Sequence, residues 1–269
     1  MGKLKDVALG VSARLIGRRN IFRLGRMLYA YGRWEPPNSI DRNGERTLVE
    51  NSLRNVSRPI VFDVGANVGE WSSSVLEVNS NAKIYAFEPS PQSRERLRAL
   101  PIEVVPCAVA DFIGEAPFTL SGATNGTNSL VPLLGGQKIE VKVTTISRFA
   151  SQQGIDHIDL LKIDVEGYDL AVLRGAESLF KSGAIAVAQF EYNGLWIHTR
   201  TFLKDVFDFA AAISYRLGKV VPPGVLLYPH WHYELDRYFE SNYVLVREDM
   251  LPHVSLIPAT FDHFNTYGP

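Results

Sequence analysis

From residue 58 to residue 192 the chain alternates short apolar runs with stretches of helical periodicity, and this alternation constrains the fold more than any other feature. Ile60–Val64, Lys83–Phe87, Glu103–Val105, Ile158–Ile163 and residues 184–190 read as strands. Glu70–Val78, residues 91–100, Ile146–Gln153 and residues 168–181 and 202–213 read as helices. Parallel neighbours need a crossover connection, and a helix between two strands supplies one. The pattern predicts an α/β domain with a mostly parallel, doubly wound sheet covered on both faces. Residues 138–144 alternate like a half-exposed strand. Residues 225–228 and 243–246 are late strands, the C-terminal one expected to run antiparallel. Residues 121–137, rich in Gly, Asn, Thr and Ser, form a connection long enough to serve a site.

The first strand runs into Asp63-Val64-Gly65-Ala66-Asn67-Val68-Gly69, where a helix begins. Gly65 permits a tight turn and close approach of a ligand to backbone. The free N–H groups of the following helix suit a carboxylate or phosphate. A dinucleotide fingerprint needs a second glycine where this chain has Asn67, so a smaller nucleoside with a carboxylate tail fits better. Glu88 ends the second strand, 19 residues after Gly69, where its carboxylate faces the same crevice and suits a ribose diol.

These motifs carry a family resemblance. The Asp63–Gly69 loop with Glu88-Pro89 resembles the S-adenosylmethionine (SAM) site of class I, Rossmann-like methyltransferases. Residues 160–169 (LLKIDVEGYD) with 172–176 (VLRGA), together with Phe87-Glu88-Pro89-Ser90 and Asn128-Ser129-Leu130, are similar to the signature of FkbM-type methyltransferases. The resemblance covers roughly residues 58–192. It implies a SAM-dependent enzyme that methylates an alcohol oxygen. It also implies that Asp63, Gly65, Ala66, Asn67 and Gly69 surround the methionine half of SAM. Ser72 would then meet its carboxylate, Glu88 and Pro89 the ribose, and Ala108 and Asp111 the adenine. Asp164 would face the sulfonium and the acceptor, either as base or by bonding the SAM amino group. Asn43-Gly44-Glu45 is similar to members found in bacterial surface-glycan pathways.

Transfer to an alcohol also needs a proton acceptor. Asp164, Glu191 and His230 are the catalytic candidates. Glu166, two residues from Asp164, serves either the site or the Gly167 turn. His230 and His232 lack a third ligand at local spacing, so no metal site is expected. Cys107, the single cysteine, reads as a small buried apolar residue; it excludes an intrachain disulfide and suits a cytoplasmic, reducing compartment.

Charge is distributed unevenly. Residues 1–33 hold eight basic residues against one acid, a charge of +7, and the remaining 20 basic and 28 acidic residues leave −8. Apolar stripes over residues 4–16 and through Ile21, Leu24, Leu28 and Tyr31 predict two short amphipathic helices. They pack on the body or a second subunit, as in a homodimer, or they lie peripherally on the inner membrane surface. Pro36-Pro37 and residues 38–45 read as a linker, and residues 47–55 as a helix. The expected division is a basic helical extension over 1–55, a methyltransferase domain over 56–248 and a tail over 249–269.

The expected function is O-methyl transfer from SAM to a hydroxyl of a sugar, glycan or polyketide-type metabolite. A non-catalytic scaffold of the same fold in a membrane-associated complex is the first rival. A nucleic-acid methyltransferase is the second; the acidic body and the lack of an Asn-Pro-Pro-Tyr or Asp-Pro-Pro-Tyr tetrapeptide argue against a nucleic-acid partner.

Overall fold

The computed structural model describes residues 16–35, 39–121, 128–132, 136–264 and 267–268. It forms two compact units, Met1–Pro37 and Asn38–Pro269. The described part of the first unit is helix α1 (Arg18–Gly32) with its flanking residues, and none of the helix's residues is buried. The helix expected over residues 4–16 and the Pro36-Pro37 stretch lie outside the described residues.

The second unit begins with α2 (Glu45–Leu53) and enters the sheet at β1 (Ile60–Val64). There follow α3 (Glu70–Val78), β2 (Lys83–Phe87), α4 (Pro91–Leu97) and β3 (Glu103–Val105). Strands β4 (Ala108–Val109), β5 (Gly114–Leu120) and β6 (Gln137–Thr144) make a separate three-stranded sheet. The chain returns through α5 (Ile146–Gln153) to β7 (Ile158–Ile163), then α6 (Asp169–Gly175), α7 (Glu177–Lys181) and β8 (Ile185–Tyr192). It closes with α8 (Trp196–Thr199), α9 (Leu203–Ile213), β9 (Tyr215–Val221), β10 (Gly224–Leu227), β11 (Ser241–Arg247) and β12 (Leu256–Pro258).

The main sheet has the order β12-β10-β9-β11-β8-β7-β1-β2-β3. From β3 to β8 every pairing is parallel, and β11 joins β8 antiparallel. The α/β expectation therefore stands, with an antiparallel section at one end. Four strands of the two larger sheets were not legible. Residues 215–221 follow α9 directly and hold the sheet's antiparallel section together. The short pair around residues 108–120 builds the second sheet. Residues 256–258 pair parallel with β10, so the expected tail adds to the sheet. The helix expected over 168–181 breaks at Ala176 into α6 and α7.

The boundary also differs from the expected one at residue 55. Helix α2 buries Leu48, Val49 and Leu53 with Val61, Leu160 and Val220. Residues 38–45 do more than link. Asn43 and Glu45 are buried and hydrogen-bond each other. Gly44 sits at φ +97 where a Cβ would lie 2.2 Å from the Val221 carbonyl oxygen, so only glycine allows this approach.

Alternation along the strands explains the two main faces. Phe62, Val64, Leu161 and Ile163 enter one cluster, Val61 and Leu160 the other. In the first, Phe62 meets Tyr85, Phe87 and Phe149 at ring-centroid distances of 5.3, 5.4 and 5.7 Å. Phe62→Ala is expected to cost about 3–5 kcal/mol, read by urea unfolding. A loss under about 1 kcal/mol would show that this cluster is not a rigid core.

Candidate active site

Strand order reverses between β1 and β7, because the chain builds outward to β3 and then returns beside β1. Ligands of open α/β sheets bind beyond the strands' carboxyl ends at such a point. Gly65 ends β1 there at φ +84, and a Cβ on it would lie 1.9 Å from the Asp164 carbonyl oxygen. Glycine at this position lets the two strand ends touch.

Two adjoining hollows meet at Gly65, Asn67 and Asp164. The narrower, about 40 Å³, has Glu88 and Pro89 on one side and Cys107, Ala108, Phe118 and Leu130 on its walls. Glu88 is buried. Its Oε2 accepts the Asn67 N–H at 2.8 Å and its Oε1 the Ser90 N–H at 2.7 Å. Each oxygen keeps a further lone pair for a ligand hydroxyl. Burial raises its pKa to about 7, against the opposing pull of the two N–H bonds. Asn67 makes this possible from a left-handed backbone at φ +46, a region asparagine tolerates. Burial pushes the Cys107 thiol up to about 11, so it stays protonated and serves as an apolar wall.

The larger hollow, about 260 Å³, is lined by Glu45, Asp63, Glu70, Asp164, Glu166 and Glu191, with Lys162 as the basic side chain on its wall. Asp63 and Lys162 are register partners on β1 and β7, and Lys162 is in turn opposite Gln189 on β8. Their side chains form a buried polar row across an otherwise apolar sheet. Lys162 Nζ donates to Asp164 Oδ2 at 2.7 Å. Burial opposes the lysine's charge, but Asp164, Glu45 and Asp63 outweigh it and raise its pKa. Ser72 Oγ donates to Asp63 Oδ2 at 2.6 Å. Asp63 Oδ1 and Trp71 Nε1 are buried on this wall with no hydrogen-bond partner among the described residues. Burial raises the Asp63 pKa, and Lys162 and Ser72 hold it back.

Within the larger hollow, single carboxylate oxygens of Asp164, Glu166 and Glu191 lie within 4.8 Å of one another. Glu166 turns inward from a left-handed backbone at φ +56. Ser129 Oγ holds that turn through the Val165 and Glu166 carbonyls at 3.1 and 2.9 Å. Asn193 Nδ2 bridges Glu191 at 2.7 Å and Glu166 at 3.2 Å. Burial, then the neighbouring Asp164 charge, raises Glu166 to about 7; burial and the same neighbours raise Glu191 well above the usual range. Such a cluster is relieved by taking up a proton or by holding a cation.

The structure thus gathers Asp63, Gly65, Ala66, Asn67, Glu88, Pro89, Ala108, Asp164 and Glu191 around one crevice. Four expected residues stand elsewhere. Ser72 is fully buried behind Asp63 and orients it. Asp111 is exposed beside Gly175. His230 is exposed on the connection after β10 and lines neither hollow. Gly69 packs under Leu97 and Leu100 and starts α3 without touching the crevice wall. Glu45, Lys162, Phe118 and Asn193 were missed. A lone lysine inside the apolar run Leu160–Ile163 was the available signal for one of them.

A narrow slot beside a buried carboxylate, adjoining a carboxylate-lined cavity at the sheet's switch point, lies where open α/β folds of the Rossmann-like class bind their ligands. The methyltransferase FkbM domain matches residues 63–217, and the chain belongs to that family. It is 29% identical over 159 residues to methyltransferase sdnD of Sordaria araneosa, covering 45% of this chain and 61% of that protein. It is 30% identical over 198 residues to the 31-O-demethyl-FK506 methyltransferase FkbM of Streptomyces tacrolimicus, covering 60% and 69%. With the hexuronic acid methyltransferase AglP of Haloferax volcanii it shares 26% over 174 residues, covering 62% and 67%.

Lys162→Met is expected to destabilise the fold by about 3–5 kcal/mol at pH 7, because it strands buried carboxylates. The loss should shrink as pH falls, because burial raises the Asp63 carboxyl and protonation relieves its stranded charge; a pH-independent loss in chemical denaturation would contradict this. Glu88 has a raised pKa, so its ionisation removes stability as pH climbs from the ordinary glutamate range through about 7. Glu88→Gln should therefore flatten the fall in Tm between pH 5 and 8. An unchanged slope would place Glu88 outside the titration.

Proposed function

We propose that the protein is a SAM-dependent O-methyltransferase whose acceptor is a hydroxyl of a sugar or glycan, with a polyketide-type metabolite as the next acceptor class. The observation that carries this reading is the shared wall of Gly65, Asn67 and Asp164 between the Glu88 slot and the acidic cavity. A nucleoside in the slot brings its tail to the cavity across that wall.

The residues fit the cofactor. The free lone pairs of Glu88 suit a ribose diol, and the apolar walls at Ala108, Phe118 and Leu130 suit a purine. The unpartnered Asp63 Oδ1 suits the amino group of a methionine tail. SAM, when bound, supplies an electrophilic methyl group on a sulfonium. The chain's part is to align the acceptor oxygen and remove its proton. Asp164, paired with Lys162 and present on both walls, orients. Glu191, with its proton affinity raised by burial and by Asp164 and Glu166, takes the proton. Carboxylates along the cavity accept hydrogen bonds from a polyhydroxylated acceptor, which favours a sugar. Two of the relatives are named for 31-O-demethyl-FK506 and hexuronic acid, and they support a hydroxylated acceptor here. Transfer is direct and in line, with no covalent enzyme intermediate and no required metal. The single thiol supports a cytoplasmic setting.

Thermal unfolding with S-adenosylhomocysteine (SAH) tests the cofactor. A ligand of the folded state adds roughly 2.7 kcal/mol at 100 times its dissociation constant. The shift should vanish in Glu88→Ala, and SAH should bind about tenfold more weakly per pH unit below 7, where Glu88 gains a proton. No shift in the wild type would overturn the enzyme reading in favour of a scaffold. Glu191→Gln should lower kcat at least about 100-fold while leaving SAH affinity within a few-fold. Turnover should persist in EDTA. Loss of turnover that magnesium restores would instead assign a cation to Asp164, Glu166 and Glu191.

A further inference from the structure

Helix α1 (Arg18–Gly32) has the sequence RRNIFRLGRMLYAYG, with no acidic residue. At about 100° per residue, Ile21, Leu24, Met27, Leu28 and Tyr31 fall on one side. Arg19, Arg23 and Arg26 fall on the other, with Arg18, Phe22 and Tyr29 along one flank. Every residue of the helix lies outside the core, and Met27, Leu28 and Tyr31 are 61%, 60% and 87% exposed. A soluble body seldom leaves so many large apolar side chains in water along one stripe. No helix among the described residues is long and apolar enough to cross a membrane. A segregated apolar stripe, an arginine face and a low overall hydrophobicity are instead the features of a helix that lies in a bilayer interface.

We propose that α1 docks the protein on an anionic lipid surface, with Leu24, Met27, Leu28 and Tyr31 in the acyl boundary and Arg19, Arg23 and Arg26 against the headgroups. Charge complementarity argues for this occupant: Arg18, Arg19, Arg23 and Arg26 stand on one helix with no acid, and an anionic surface neutralises them. The inference stands apart from the catalytic reading, since it uses no residue of the crevice.

The test uses the full chain and sedimentation with vesicles of phosphatidylcholine containing 30% phosphatidylglycerol, beside vesicles of pure phosphatidylcholine. Binding is expected on the anionic vesicles, with a steep fall as salt rises. Each arginine is expected to contribute roughly fivefold in partitioning. The combined variant Arg19→Glu, Arg23→Glu and Arg26→Glu should therefore abolish sedimentation. Leu24→Ser with Leu28→Ser should weaken it while leaving the SAH-free Tm of the body unchanged. Equal binding by wild type and either variant, or none by wild type, would overturn the proposal. So would a wild-type dimer in sedimentation velocity that the leucine variant turns into a monomer, since the stripe would then be a subunit interface.

Discussion

The site is organised around a lysine that the sheet buries. Lys162 sits between Asp63 and Gln189 in register and donates to Asp164, with Glu45 reaching the same row from α2. Asp63, fully buried in this row, depends on that positive charge or on a proton. Removing a partner from such a group costs more than the intact group contributes. The position of α2, the orientation of Asp63 by Ser72 and the approach of β1 to β7 all answer to the same balance.

That balance also explains why the crevice divides as it does. On the Glu88 side, two backbone N–H groups offset burial and leave a carboxylate poised near neutrality. On the far side, Asp164, Glu166 and Glu191 crowd together with Asn193 as a shared donor, and proton affinity rises. One end keeps free carboxylate lone pairs for a donor; the other attracts positive charge and takes up protons.

Two residues of the crevice carry backbone strain. Asn67 and Glu166 both occupy left-handed conformations that most side chains avoid. One aims an N–H at Glu88; the other turns a carboxylate back toward Asp164. Neither turn stands alone: Ser93 bonds the Asn67 side chain at 3.2 Å, and Ser129 fastens the Glu166 turn from a distant loop.

The alternation of strand and helix, the Asp63–Gly69 turn and the acid at Glu88 were all legible in the chain, because each is local: a period, a glycine, a strand end. Family membership followed from such local words. What sequence order could not supply was adjacency across the sheet. Lys162 reads as one polar residue in an apolar run until β1 is laid beside β7. Glu45 reads as part of a linker until α2 closes over β8. Ser72 and Asp111 lie close in sequence to the motifs, yet the fold turns one behind Asp63 and the other into solvent. Periodicity and turn chemistry act over a few residues and determine the elements; register and burial act between distant ones, and only the tertiary structure decides which carboxylates share a charge.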